Sequence, residues 1–183
     1  IDGAFGKAQS YAAAAAACGG LGFGLNLARI AEALAFYKAP NHRMKFLMGL
    51  KDTYIIDDCY NASPLSMRAA IDTIKDLEAK RKVGILGDML ELGSYALEAH
   101  QTIGALAAKV FDLLITVGPR AKFIAATARK KGLAEDKIFS FDTVNEATLE
   151  ILGLLKSGDL VLVKASRAVG LEKVVNEIMP KSV

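Results

Sequence analysis

The chain has 183 residues, 52% of them apolar and 23% charged, with 23 Lys and Arg against 20 Asp and Glu for a net charge of +3. These are the proportions of a globular domain and exclude disorder, collagen and coiled coil; at this length folding buries about 70% of the unfolded chain's surface, so the core needs no staples. No apolar run reaches the roughly 18–20 residues of a membrane span, and the mild, scattered positive charge leaves no footprint for nucleic acid.

Residues 6–38 are helical in composition. The alanine run at 12–17 is the best helix former, Gly19-Gly20 and then Gly22 and Gly24 break it, and Asn26 caps a second helix with Leu27, Ile30, Ala31 and Leu34 on one face. Pro40 closes the segment. Two strand patterns at 44–48 and 53–57 flank Gly49-Leu50-Lys51-Asp52 and predict a hairpin. From Pro64, which suits a first helical turn, the pattern alternates. Helices are expected at 64–78, 95–110, 119–131 (ended by Gly132), 144–155 and 171–179, and strands at 82–86, 113–117, 138–141 and 160–164. Such alternation predicts a parallel sheet with right-handed crossovers. The continuous apolar runs at 83–86, 113–117 and 160–163 predict a sheet covered on both faces, so the fold class is α/β, doubly wound.

Such sheets bind ligands beyond the carboxyl ends of their strands. That rule selects Asp57-Asp58-Cys59-Tyr60-Asn61, Gly87-Asp88-Met89-Leu90-Glu91, Gly118-Pro119-Arg120 and Lys164-Ala165-Ser166-Arg167. A carboxylate at a strand end can accept bonds from two ribose hydroxyls. Loop solvation with Ser63 as a helix N-cap accounts for the same residues, and spacing alone does not choose. Lys164, Ser166 and Arg167 precede a helix start, where an Arg fork and a Lys point charge can clamp a carboxylate. Asp88 and Glu91 can serve an ammonium group or a metal, or form an acidic pair at a helix N-terminus. His100 lies within a helix and reads as a structural or surface histidine rather than a ligand; His42 precedes Arg43, which can reach a phosphate across a domain boundary.

Other motifs fail on their own terms. Gly6-Lys7-Ala8 lacks the upstream glycine and the hydroxyl of GxxxxGK[ST], and Gly20-Leu21-Gly22-Phe23-Gly24 fails GxGxxG and lies between helices. Cys18 and Cys59 form no CxxC pair and no metal-ligand spacing, so no metal set is expected and both read as reduced thiols of a cytosolic protein. No signal peptide is present, and a start at Ile1 rather than Met makes a piece of a longer protein the expectation.

Four segments together resemble one family. Residues 55–64, IIDDCYNASP, are similar to a DDSYNA(N/S)P motif, residues 86–93 to LGDMLELG, residues 163–167 to VKGSR, and His42-Arg43-Met44 to a GRM or HRF segment. In order and spacing across 41–180 the chain resembles the Mur ligases, and among them the type that adds D-alanyl-D-alanine to UDP-N-acetylmuramoyl-tripeptide in peptidoglycan precursor synthesis. The resemblance implies a three-domain cytoplasmic ligase, monomeric, without nucleic-acid or membrane partners. Residues 1–40 would be the helical end of its central ATP-binding domain and 41–183 its Rossmann-like C-terminal domain. ATP and Mg²⁺ would be bound mainly by domains outside these residues.

Carried over by position, the resemblance gives nucleotide contacts to Arg43, Asp58, Tyr60 and Asn61. It gives Lys164, Ser166 and Arg167 to the incoming dipeptide, with Asp88 and Glu91 bordering the same rim, and no catalytic residue to these 183. The implied reaction passes through an acyl phosphate that the dipeptide amine attacks, so closure that excludes water protects the intermediate. Without a P-loop the isolated chain is expected to be inactive. The chain departs from the family pattern at Ala8 (His), Ala12 (Asn or Pro), Ala165 (Gly) and Cys59 (Ser or Thr). The departures at Ala8 and Ala12 motivate a second reading, a free-standing, non-catalytic binding module.

Overall fold

The computed structural model describes residues 6–37 and 40–180; Lys38, where the first helical segment was expected to end, lies outside them. Two helices come first, α1 (Lys7–Gly22) and α2 (Leu27–Ala35). The expected break at Gly19-Gly20 is not there. α1 continues to Gly22, and the chain turns at Gly24, whose φ of +81° suits glycine. Gly20 instead lets α2 approach, since a Cβ on it would stand 3.0 Å from the side chain of Ile30. Asn26 caps α2 as expected, its side chain accepting from Arg29 N at 2.9 Å.

The remaining elements form a sandwich of helices about one sheet. In chain order they are β1 (Lys45–Met48), β2 (Tyr54–Asp57), α3 (Pro64–Asp76), β3 (Arg81–Gly87), α4 (Ala96–Val110), β4 (Leu113–Val117), α5 (Lys122–Lys130), β5 (Ile138–Phe141), α6 (Val144–Leu154), β6 (Asp159–Lys164) and α7 (Glu172–Ile178). The sheet order is β1-β2-β6-β3-β4-β5; β1 and β2 form the antiparallel hairpin and all other pairs are parallel. The α/β doubly wound class with an N-terminal hairpin is therefore observed.

Alternation along the strands sorts the core into two layers. Ile56, Leu86, Leu114, Leu160 and Leu162 face α3, α4 and α5, packing on Met67, Ile71, Ile103 and Ile124. Ile55, Ile85, Ile115, Val161 and Val163 face the other way, onto Ile151 of α6 and Val174, Val175 and Ile178 of α7. Each fully buried aliphatic side chain contributes about 1.5–3 kcal/mol of transfer free energy. A bidentate pair clamps the amino ends of β3 and β6: Arg81 Nε to Asp159 Oδ1 at 2.7 Å and Nη2 to Oδ2 at 2.6 Å.

Two boundaries differ from expectation for stated reasons. α3 stops at Asp76 because Leu77 is extended (ψ 140°). α5 starts at Lys122, not at 119, because Gly118 turns through φ +109° and the chain reaches helical geometry only at Ala121.

Candidate functional site

The carboxyl ends of β2, β6, β3 and β4 lie side by side, so the loops after them form one rim. Lys164 ends β6 and is only 2% exposed. Its Nζ donates to Asp58 Oδ2 at 2.5 Å and to Asn61 O at 2.9 Å. Asp58 is held further by Met44 N, which donates to Oδ1 at 3.1 Å, and by its own N–H on Val163 O. Burial pushes the Asp58 carboxyl above its ordinary range, with the Lys164 ammonium beside it pulling the other way. Asp58 and Lys164, assigned by sequence to ribose and dipeptide respectively, thus face one another.

Two guanidinium groups approach the Tyr60 ring. The Arg43 carbon lies 4.1 Å from the ring centroid and that of Arg167 5.5 Å. Both arginines are exposed, so each can stack on the ring and still present N–H groups to an anion. Arg43, Asp58, Tyr60, Asn61 and Lys164 line one cleft of about 680 Å³, whose far wall is α3 with Ser66 and Thr73. Gln9 of α1 also reaches this wall, donating to Arg43 O at 3.4 Å. A second cleft of about 630 Å³ opens between Phe46, Tyr54, Glu78 and Ser157 and shares no residue with the rim loops.

The four remaining assigned residues, Asp88, Glu91, Ser166 and Arg167, do not line the 680 Å³ cleft, and two of them, Ser166 and Asp88, bind the rim loops to each other. Ser166, nearly buried, donates its N–H to Asp88 O at 3.0 Å, while its Oγ accepts from Leu90 N at 2.9 Å and donates to Ala62 O at 3.4 Å. Asp88 turns to the start of α5, where Oδ1 accepts from Ala121 N at 2.6 Å. A Cβ on Gly118 would lie 2.6 Å from that carboxyl, so glycine is required there. Burial pushes the Asp88 carboxyl up, opposed first by the Ala121 N–H. The reading of Asp88 as one of two acids on its own helix's first turn is therefore corrected: it serves α5 across the sheet edge. Glu91 is exposed at φ +61°.

The alternative accounts of two motifs hold in part. Ser63 caps α3, its Oγ accepting from Ser66 N at 3.3 Å while Ser66 Oγ accepts from Ser63 N at 2.9 Å. His100 is fully buried and structural; its Nδ1 donates to Ala96 O at 2.6 Å and its Nε2 accepts from Met89 N at 3.0 Å, which assigns the neutral Nδ1–H tautomer.

Sequence reading missed one constellation. His42 Nδ1 lies 2.7 Å from Asp57 Oδ2, and Cys59 Sγ lies 3.0 Å from Asp57 Oδ1 and 3.5 Å from His42 Nδ1. The available signal was the hairpin itself. Its register pairs Lys45 with Asp57, and a few residues further out it brings His42 O to Tyr60 N at 3.0 Å.

Comparison with known proteins gives the following. The family model described as "Mur ligase, glutamate ligase domain" matches residues 42–167. The UDP-N-acetylmuramoyl-tripeptide–D-alanyl-D-alanine ligase of Bacillus subtilis is 34% identical over 176 residues, 95% of this chain and 38% of that protein. The ligase of the same name from Treponema pallidum is 38% identical over 124 residues, 66% of this chain and 26% of that protein. Among solved structures, MurF from Acinetobacter baumannii superposes with a TM-score of 0.77 at 28% identity, covering 94% of this chain and 37% of that one. MurF ligase from Thermotoga maritima in complex with ADP gives 0.70 at 27% identity, covering 87% and 35%. The chain thus spans little more than a third of the length of the full-length relatives it matches.

Proposed function

The chain belongs to the Mur ligase family, and from that premise we propose that it forms the C-terminal part of a ligase that adds D-alanyl-D-alanine to UDP-N-acetylmuramoyl-tripeptide at the expense of ATP. The observation that carries this reading is the convergence of Arg43, Asp58, Tyr60, Asn61 and Lys164 on one cleft beside α1 and α3. Residues 41–183 act as the domain that covers the nucleotide, and residues 1–40 belong with the preceding ATP-binding domain. The latter assignment is supported by the exposed apolar side chains Tyr11, Phe23, Leu27 and Phe36, which suit burial against further protein.

The parts are distributed as follows. The Arg43 fork is suited to a phosphate or ribose oxygen, and Tyr60 offers a flat wall between nucleotide and acceptor. The Lys164–Asp58 pair fixes the loop that carries Tyr60 and Asn61. Arg167, whose guanidinium also lies over the Tyr60 ring, is suited to take the dipeptide carboxylate. Ser166 and Asp88 act by holding the rim loops in register. Asp58, Asp72 and Asp76 line the cleft, but among the described residues they are not close enough together to share an ion, and Mg²⁺ is left to the domains outside these residues. Covering the site excludes water from an acyl phosphate that would otherwise hydrolyse.

A cytoplasmic location follows the resemblance to the ligases named above. No helix among the described residues is long and apolar enough to cross a membrane. The test is phosphate release from ATP in the presence of both peptide substrates. The 183 residues alone give none, while the longer protein containing them turns over and loses turnover when Arg43 is replaced by Ala. ATP turnover by the 183 residues alone overturns the division of labour.

A further inference from the structure

The loop that presents Arg43 and Tyr60 contains a second cluster that the nucleotide cleft does not use. His42 Nδ1, the Asp57 carboxylate and Cys59 Sγ all lie within 4.8 Å of one another. Asp57 and Cys59 are buried, while the His42 side chain is 27% exposed, which leaves one open approach from solvent. Among the described residues this is the one group of three such donors close enough to share an ion. A further carboxylate acts on it: Glu172, in the first turn of α7, bears electrostatically on the Cys59 thiol. Its Oε2 is buried with no hydrogen-bond partner among the described residues. A buried carboxylate oxygen without a partner is costly unless a cation completes it.

We infer that His42, Asp57 and Cys59 form a binding site for a Zn²⁺-like transition-metal ion, with the fourth position open to solvent and the Glu172 carboxylate adding negative charge nearby. Bonds of about 2.0–2.3 Å at tetrahedral angles place neighbouring donors about 3.4–3.6 Å apart. The Cys59–His42 separation of 3.5 Å already has that value. Only the Asp57 carboxylate, at 2.7 Å and 3.0 Å from its neighbours, has to withdraw by about half an ångström. The donor set selects the metal. Thiolate and imidazole favour zinc or cobalt over Mg²⁺, which takes oxygen ligands. Binding breaks the Cys59 S–H bond, forms an S–metal bond and releases the proton to buffer. His42 is held on a backbone of φ +62°, in a sparsely populated region for a non-glycine residue. An ion here ties residue 42 to residue 59 and so fixes Arg43 and Tyr60, which lie next to the two ligands in sequence.

Cobalt titration of the 183-residue chain tests this. One equivalent of Co²⁺ is expected to give a thiolate-to-cobalt charge-transfer band with tetrahedral ligand-field intensity. Equimolar Zn²⁺ abolishes the band and a large excess of Mg²⁺ does not. Cys59→Ser loses the band while Cys18→Ser keeps it, with circular dichroism confirming that both fold. His42→Gln and Glu172→Gln each weaken Zn²⁺ binding by at least about tenfold, the lower bound for losing even an outer-sphere partner. Absence of the band in the parent chain, or its survival in Cys59→Ser, overturns the site. A Glu172→Gln chain that binds Zn²⁺ as tightly as the parent overturns the contribution of the Glu172 charge.

Discussion

Lys164 Nζ lies 2.5 Å from Asp58 Oδ2, joining the last residue of β6 to the loop after β2 across two neighbouring strand ends. Lys164 is 2% exposed and the Asp58 side chain 14%, so neither charge is free to find water if the other is removed. Lys164→Met is expected to destabilise the fold by about 3 kcal/mol, the cost of leaving one member of a buried pair uncompensated. The double variant Asp58→Asn with Lys164→Met should recover part of that loss, because the orphaned carboxylate is gone too. Urea unfolding of the two singles and the double measures the coupling. Strictly additive losses would show that the contact is not an energetic pair.

Acid pH reports on Asp88. Its carboxyl is raised above the ordinary 3.8 by burial, so between 3.8 and the raised value the folded chain holds more protons than the unfolded one. Stability from this group is complete below 3.8 and falls as pH rises through that interval. Asp58 is shifted in the same direction and has the same sign. Asp88→Asn preserves an acceptor for Ala121 N and removes the titration. The stability of the parent relative to Asp88→Asn should therefore decline with rising pH across the interval, and a difference that climbs with pH contradicts the burial account.

Gly118 is the third point. A Cβ there would meet the Asp88 carboxyl at 2.6 Å, and φ +109° is a conformation that L side chains rarely adopt. Gly118→Ala is expected to cost about 2 kcal/mol and to displace Asp88 from Ala121 N. Thermal unfolding gives the cost. The Ala121 amide shift shows whether the cap is lost.

His100 carries the opposite loop. Its Nε2 is the acceptor for the buried Met89 N–H, and Met89 lies next to Asp88. His100→Leu leaves that N–H unpaired at a cost of about 1–3 kcal/mol. His100→Gln, which can still accept, should be milder. Equal losses in the two would mean that packing volume, not the hydrogen bond, sets the price.

The layers of this fold were legible because burial on both faces leaves continuous apolar strands, as at 113–117 and 160–163. Boundaries governed by a distant partner were not. The late start of α5 depends on Gly118 and on Asp88, thirty-three residues before Ala121. The continuity of α1 through Gly19-Gly20 depends on Ile30 packing where a side chain would stand. At the rim, residue types marked the right loops but not the directions of side chains. Lys164 and Arg167 share one short segment, yet one is buried against Asp58 and the other exposed beside Tyr60. Burial of the last strand residue decides between them, and a sequence does not print it. The His42–Asp57–Cys59 cluster escaped because its members are spaced by hairpin register rather than by any ligand motif.

The most direct test of the central claim is a titration of isotope-labelled chain with Mg-ATP and, separately, with D-alanyl-D-alanine, following backbone amide shifts. The account predicts nucleotide-dependent shifts concentrated in residues 42–61 and at Lys164, and dipeptide-dependent shifts at residues 164–167. The nucleotide effect should weaken by about tenfold in Arg43→Ala, the loss of one charge-assisted contact. Nucleotide shifts confined to the second cleft, around Phe46, Tyr54 and Ser157, or a folded spectrum unmoved by either ligand, would contradict it.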